Sequence, residues 1–581
     1  MPNILLTGEA AKLKRPKVKT GLMCTYRIRR VKCDETKPHC RRCTRFGVDC
    51  DGYPPVYRNP SSSRAILPKG QNPAIQSIEL PKIRTLYSGP RFEDEQEGIC
   101  FRHYCEETAT QIAGPTQSPI WSKLIPQACE TEPFLRHAVV AIAAVSKINE
   151  DAVSPGKSRT LDYGYALKQY SKSLRGMRLS LANRKHDMRN ALLACILVYC
   201  FETLQGNLGT ASTHARSGLL LISQWLEDNY HLQKPFYDVD EHLGKTPYNE
   251  LDDWPEDIDC EMMASNPVDP PLRCTMSQLD LQILFFMDGR PQQIHHSGIP
   301  HFNARIKKMP ARLLNLHDVR RWGNLLMRRN YRWILVALTA SKSKELAEPW
   351  PDDSGLEWED SAQYLPGENI MSTANLHTPE LKAELLSHRE DIRRFSRSVG
   401  LLFDQKRENG THYEKLSVAI WEMNCLINHI MLYGVHFTDE TDWDQFLPEF
   451  KKILALGQYC MPIIVAPLKG ATRYIFNLGI LIGLSVVSLR CRDRPTRHAT
   501  LDLLRSVHYR EGIFDSQAAA LIGSWLAGIE EEGADEIGFI PGHKRVFLTR
   551  AVADIPNRRA LLGCSQRSLS GLVYKKAVMK W

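Results

Sequence analysis

The chain has 581 residues, 43% of them hydrophobic and 24% charged, and a formal charge of +9. This is globular composition, which excludes a collagen-like repeat, a disulfide miniprotein and a wholly disordered chain; the length allows roughly three or four domains. The charge is confined: residues 1–58 hold fourteen Lys/Arg against five Asp/Glu, the whole excess, while the other 523 residues carry 61 of each sign. A local positive field predicts a polyanionic partner for that segment alone.

In chain order, residues 1–20 form a basic tail. Its short apolar patch Ile4-Leu5-Leu6 is no secretory signal, and KLKRPKVK over 12–19 reads either as a solvated arm or as a nuclear-import or phosphate-binding run. Five of the sixteen cysteines (Cys24, Cys33, Cys40, Cys43, Cys50) follow within residues 21–53. Without an export signal thiols stay reduced, so clustered cysteines read as metal ligands rather than disulfides. Residues 54–91 are a linker: Pro54, Pro55, Pro60, Pro68, Pro73, Pro81 and Pro90, with Ser61-Ser62-Ser63 among them, forbid a sustained helix.

From residue 92 to 581 helical periodicity takes over. Phe134, Ala138 and Ile142 recur every four residues, with Leu135, Val139 and Ala143 beside them. Leu167, Tyr170, Leu174, Met177 and Leu181 step by three and four along an amphipathic helix, and ALLACILVYCFETL over 191–204 is apolar on all sides, as a central helix would be. Further helices are predicted near 212–227, 318–341, 378–403, 413–434, 450–458, 471–490, 498–507 and 515–531. Strand alternation is scarce, so 92–581 reads as one large all-α unit and the fold class as mostly α. Two stretches read as irregular: 237–261, with ten Asp/Glu and one lysine, and the polar, proline-bearing 342–377. The first has the composition of an acidic activation segment, though such loops are most often simply solvated. The longest apolar stretches fall short of the roughly 20 residues of a membrane span, so no membrane partner is expected.

The spacing Cys33-x6-Cys40-x2-Cys43-x6-Cys50 is the sharpest signal. A two-residue gap lets two thiolates reach one metal from a tight turn, and tetrahedral sulfur coordination suits zinc. Immediately before it, Arg27, Arg29, Arg30 and Lys32 put four cations in six residues, with Ile28 and Val31 spaced to turn inward on a helix.

The run R-x-R-R-V-K-C-D-E-x-K-P-x-C-x-R-C-x6-C-x-G-Y resembles the fungal binuclear zinc-cluster transcription factors. A weaker likeness to that family's helical regulatory domain is carried by EPFLRHAVVAIAAVS, LLACILVYCFETLQG, RYIFNLGILIGLSVVSLRCRD and EGIFDSQAAALIGSWLAGIEEEG. The resemblance implies six cysteines holding two zinc ions, the first and fourth bridging both. It implies a basic helix in the major groove over a CGG-type triplet, with Arg29 and Arg30 at base-reading positions and Arg27 and Lys32 at phosphate positions. Aligned on Cys33, however, the first two ligand positions carry Met23 and Tyr26, and Cys24 lies between them. Thioether and phenol are poor zinc ligands. One implied site keeps Cys33 and Cys40; the other keeps Cys40, Cys43 and Cys50, with Cys24 one residue from the fourth position. One bound zinc is therefore expected. An insertion, or a mis-assigned exon boundary over 21–26, accounts for the offset, which also displaces Gly21.

Elsewhere, His295, His296 and His301 in QIHHSGIPHF carry no interleaved cysteine or carboxylate, and Gly298 and Pro300 suggest a loop. Cys195, Cys200, Cys425 and Cys460 sit in apolar contexts as small hydrophobes. No phosphate loop, G-x-S-x-G or H-E-x-x-H occurs, so an enzyme is not expected. The expected protein is a nuclear, sequence-specific regulator of RNA polymerase II genes, bound to zinc, double-stranded DNA and transcription co-regulators. Monomeric binding and a homodimer through the helical domain both stay open. The alternative is a cluster-degenerate protein that does not bind DNA and acts through a helical, effector-sensing domain.

Overall fold

The computed structural model describes residues 92–581 apart from 117, 154–160, 183–187, 231–268, 287–289, 291, 342–377, 438, 467–472 and 569–570. All described residues fall in one compact unit, Leu86–Trp581. The irregular stretches expected at 237–261 and 342–377 lie outside the described residues.

The first layer is built from α1 (Glu95–His103), α2 (Ala109–Ala113), α3 (Ile125–Thr131), α4 (Pro133–Val153), α5 (Tyr163–Ala182), α6 (Met188–Gln205) and α7 (Leu208–Tyr230). Asp94 caps α1 by accepting from Glu97 N at 2.7 Å, and a π-helical turn, Tyr104–Thr108, joins α1 to α2. Helix α4 packs on α5 and α6. As its composition demands, α6 is buried along most of its length and all round: Leu192, Leu193, Ile196, Leu197, Tyr199 and Cys200 are all fully enclosed. It ends at Gly206, whose φ of 81° closes the turn with Asn207 N donating to Glu202 O at 2.9 Å. A β-carbon there would also lie 2.6 Å from Ile555.

Helices α8 (Pro270–Phe286), α9 (Gln292–Lys307), α10 (Leu316–Ser341), α11 (Pro379–Asn409), α12 (His412–Gly434) and α13 (Leu447–Val465) continue the bundle. Thr411 and Glu414 form a reciprocal cap at the start of α12. Helix α9 replaces the loop expected at QIHHSGIPHF. Pro300 costs it one backbone hydrogen bond, but His295, Ile299, Phe302 and Ile306 are buried at four- and three-residue steps, and packing against α10 holds the helix.

The remaining elements are β1 (Arg473–Ile475), α14 (Leu481–Arg490), α15 (Arg494–Arg505), β2 (Tyr509–Glu511), β3 (Phe514–Asp515), α16 (Ser516–Glu531), β4 (Val546–Asp554), β5 (Arg559–Ser568) and β6 (Gly571–Lys580). The mostly helical fold class holds; the helices expected at 378–403 and 450–458 extend six and seven residues further, α8 and α9 add to the expected set, and two stretches depart from helix. The stretch 471–490 is a strand followed by a helix rather than one helix. Residues 473–475 pair in parallel with 509–511, and the Glu511 carboxylate accepts from the backbone N–H groups of Gly479, Ile480 and Leu481 at 2.6–3.0 Å, which fixes where α14 begins. The second departure is the antiparallel meander β4-β5-β6 at the end of the chain. A register shift between Leu548 and Arg550 moves the alternation out of phase, which weakens its period-two signal. Leu548, Ala551, Leu562 and Cys564 pack with Leu526 of α16 in a small core of their own.

Candidate functional site

The residues that the sequence assigns to zinc (Cys24, Cys33, Cys40, Cys43, Cys50) and to DNA (Arg27, Arg29, Arg30, Lys32) lie outside the described residues, as do the basic tail and the linker. The test of zinc against this chain is therefore the chemistry of its donors. On the ligand order that the resemblance implies, Cys40, Cys43 and Cys50 would supply three thiolates to one ion, with Cys24 available as a fourth, a set that suits one zinc. The other position, left with Cys33 and Cys40, does not fit. Among the described residues no cysteine joins a group of metal-capable side chains. Burial pushes the thiols of Cys195 up to about 11 and of Cys425 and Cys460 up to about 12, so these remain protonated packing groups, as their sequence contexts suggest.

Within the helical unit the densest chemistry is a buried charge centre. Asp280 of α8 is fully enclosed. It accepts from Arg290 Nη1 at 2.5 Å on one oxygen, and from Arg328 Nε and Arg332 Nη2, both at 2.8 Å, on the other. Burial raises its pKa, but the three guanidinium groups outweigh that and hold the carboxyl well below the usual range. His295 Nδ1 lies 3.5 Å from Arg332 Nη1. Of the three histidines weighed for metal, His295 is buried in this centre, His296 is exposed and His301 half-buried. At 100° per residue they face different ways around α9, so they do not converge. Sequence reasoning missed Asp280, because its partners lie 10, 48 and 52 residues away.

Beside this centre lies a cavity of about 40 Å³, lined by Arg320, Asn324 and Met327 of α10, Trp421 and Asn424 of α12, and Tyr509 of β2. Gly323 lets α10 approach: a β-carbon there would stand 2.3 Å from the Trp421 ring. A smaller space of about 10 Å³ shares Met327, Trp421 and Asn424. A water needs about 10–15 Å³, so the larger cavity admits about three waters or a ligand of a few heavy atoms. Asn424 Oδ1 is buried and accepts no hydrogen bond, which makes it the polar group most in need of a donor. Tyr509 donates to Glu511 at 2.7 Å behind the cavity. Burial pushes the Glu511 carboxyl upward, against the four donors that converge on it.

Comparison with known proteins places a family on this architecture. Residues 23–59 match the fungal Zn(2)-Cys(6) binuclear cluster domain, the two-zinc module, so zinc is the metal of this segment. Residues 99–243, from the end of α1 through α7 and beyond, match the fungal specific transcription factor domain. The chain is 29% identical over 236 residues to the aspercryptin biosynthesis cluster-specific transcription regulator of Emericella nidulans, which covers 38% of this chain and 37% of that protein. It is 26% identical over 235 residues to a transcription regulator of Purpureocillium lilacinum, covering 38% and 55%. A Zn(2)-C6 fungal-type transcription factor of Aspergillus fumigatus is 35% identical over 145 residues, 24% of this chain and 36% of that one. The matched stretch thus spans between about a third and just over half of these relatives, and no solved structure matches. The two matched domains stand in the order that the cysteine spacing and the helical periodicity gave them, and they make this chain similar to the fungal Zn(2)-Cys(6) transcription regulators.

Proposed function

We propose that the chain regulates RNA polymerase II genes in the nucleus by binding double-stranded DNA, reading CGG-type triplets through a zinc-held basic segment. The observation that carries this reading is the confinement of the whole +9 charge to residues 1–58, where the cluster domain also matches. Cys40, Cys43 and Cys50, with Cys24 as the fourth donor, hold one zinc; its chemistry is structural, fixing the fold of a segment too small to fold without it. Arg29 and Arg30 present forked donors that suit guanine O6 and N7. Arg27 and Lys32 contact phosphates and set the register. The helical unit, 92–581, is the part that meets co-regulators or a second copy.

Fluorescence anisotropy of the full chain on a CGG-containing duplex and a scrambled one tests this. Arg30→Ala costs about 1–3 kcal/mol on the CGG duplex and flattens the preference. Lys32→Ala weakens both duplexes alike and lowers the salt slope by about one unit. Equal affinity of the unsubstituted chain for the two duplexes excludes base reading.

Met23 and Tyr26, at the first two ligand positions, favour a second reading: a cluster that no longer binds DNA, on a helical unit that senses a small effector. The cavity at Asn424 supports it. A zinc content of the purified chain that Cys43→Ser leaves unchanged is the result that selects this reading over the first.

A further inference from the structure

Three elements bring a different set of donors together on the helical unit, 50 residues and more beyond the cysteine segment. His103 is the last residue of α1, Glu107 lies in the π-helical turn that follows, and Glu150 is near the end of α4. One ligand-capable atom from each lies within 4.8 Å of the other two. His103 Nε2 is sealed from solvent and has no hydrogen-bond partner. It stands 3.6 Å from Glu150 Oε2, too far for a hydrogen bond. It is close to the separation, on the order of 3.4 Å, of two donors that each hold one ion tetrahedrally at about 2.0–2.1 Å.

We infer that His103, Glu107 and Glu150 form a binding site for one divalent transition-metal ion. The donor set of one imidazole and two carboxylates suits Zn²⁺. The supporting contacts point the same way. The other Glu150 oxygen, Oε1, accepts from Gln111 Nε2 at 3.0 Å and from Ser146 Oγ at 3.3 Å. These two donors, on α2 and α4, orient the carboxylate and aim Oε2 at His103, as outer hydrogen bonds orient ligands in metal sites. The π turn contributes as well. His103 immediately precedes it and Glu107 lies within it, four residues on, so the two stand one turn apart on a shared face. Glu107 is exposed and the other two are half-buried, so the ion enters from solvent. Binding would tie the start of the matched regulatory domain to the end of α4 and stabilise the native unit by mass action. The inference does not rest on DNA binding or on the state of the cysteine cluster.

The test counts zinc in the full chain after equilibration at low-micromolar free Zn²⁺, and reads the difference between proteins rather than the total. Wild type is expected to hold one equivalent more than either His103→Ala or Glu150→Gln. The Gln variant keeps an acceptor for Gln111 and Ser146, so it separates ligand loss from loss of folding. Cys43→Ser lowers the total but leaves the one-equivalent difference intact when combined with either substitution. In parallel, in the Cys43→Ser background, stripping the metal is expected to lower the melting temperature of the otherwise unsubstituted chain and leave that of the two variants unchanged. Equal zinc counts in wild type and either folded variant overturn the site, and so does a melting temperature that responds to the metal equally in all three.

Discussion

Asp280 shows what a single residue carries in this unit. Three guanidinium groups surround one enclosed carboxylate, and removing the negative partner leaves buried positive charge uncompensated. Asp280→Asn is expected to cost about 3–5 kcal/mol at pH 7, measured by urea unfolding followed by circular dichroism. The pH dependence follows from the depressed folded-state pKa. Such a carboxylate contributes stability that is complete above its unfolded pKa, about 3.9, and is lost as the pH falls through the folded value. The gap between wild type and Asp280→Asn therefore narrows by about 1 kcal/mol between pH 7 and pH 3; a constant gap would show that folding leaves the Asp280 pKa unshifted, and a widening one that the group is neutral in the folded state. Nothing local in the sequence reveals this role, since an aspartate in the apolar run of α8 looks like a solvent-facing residue until Arg290, Arg328 and Arg332 are brought to it.

At the scale of elements, helices were legible because their signal is local. The apolar steps over 167–181 and the all-round apolar run over 191–204 each state their own burial, and the chain folds accordingly. The C-terminal meander was not legible, because its placement depends on Glu530 of α16. That carboxylate accepts from Arg492 at 2.7 Å, from Arg497 at 2.6 Å and from the backbone N–H of Val546, the first residue of β4, at 2.8 Å. It joins the α14–α15 corner to the sheet. Glu530→Ala is expected to loosen the sheet selectively: amide exchange over 546–566 speeds by 10-fold or more while α6 stays protected. Uniform acceleration of exchange across α6 and the sheet would mean that Glu530 supports the whole unit rather than this junction.

For the whole molecule, the proposed division puts a proline-rich linker at 54–91 ahead of the helical unit. Limited proteolysis of the full chain is expected to cut first within 54–90 and to leave a resistant fragment starting near residue 92. Early cleavage within 191–204, with 54–90 intact, would overturn the division. The enclosure of α6 is the physical reason to expect that order, since a protease must unfold a buried helix before it can bind it.

The sequence by itself determined what is encoded over a few turns of chain: the confined charge, the zinc-spaced cysteines with their departures at Met23 and Tyr26, and the helical periods of residues 92–581. Those signals carried the likeness to the fungal zinc-cluster regulators that the two domain matches bear out. Tertiary structure alone decided the features assembled from residues far apart. These are the guanidinium cage around Asp280, the start of α14 set by Glu511 from 30 residues away, the cavity at Asn424, and the meeting of His103 and Glu107 with Glu150. In each, a polar group is buried where only partners from other elements can satisfy it. Such a requirement leaves no periodicity along the chain, because the distance that matters is through space.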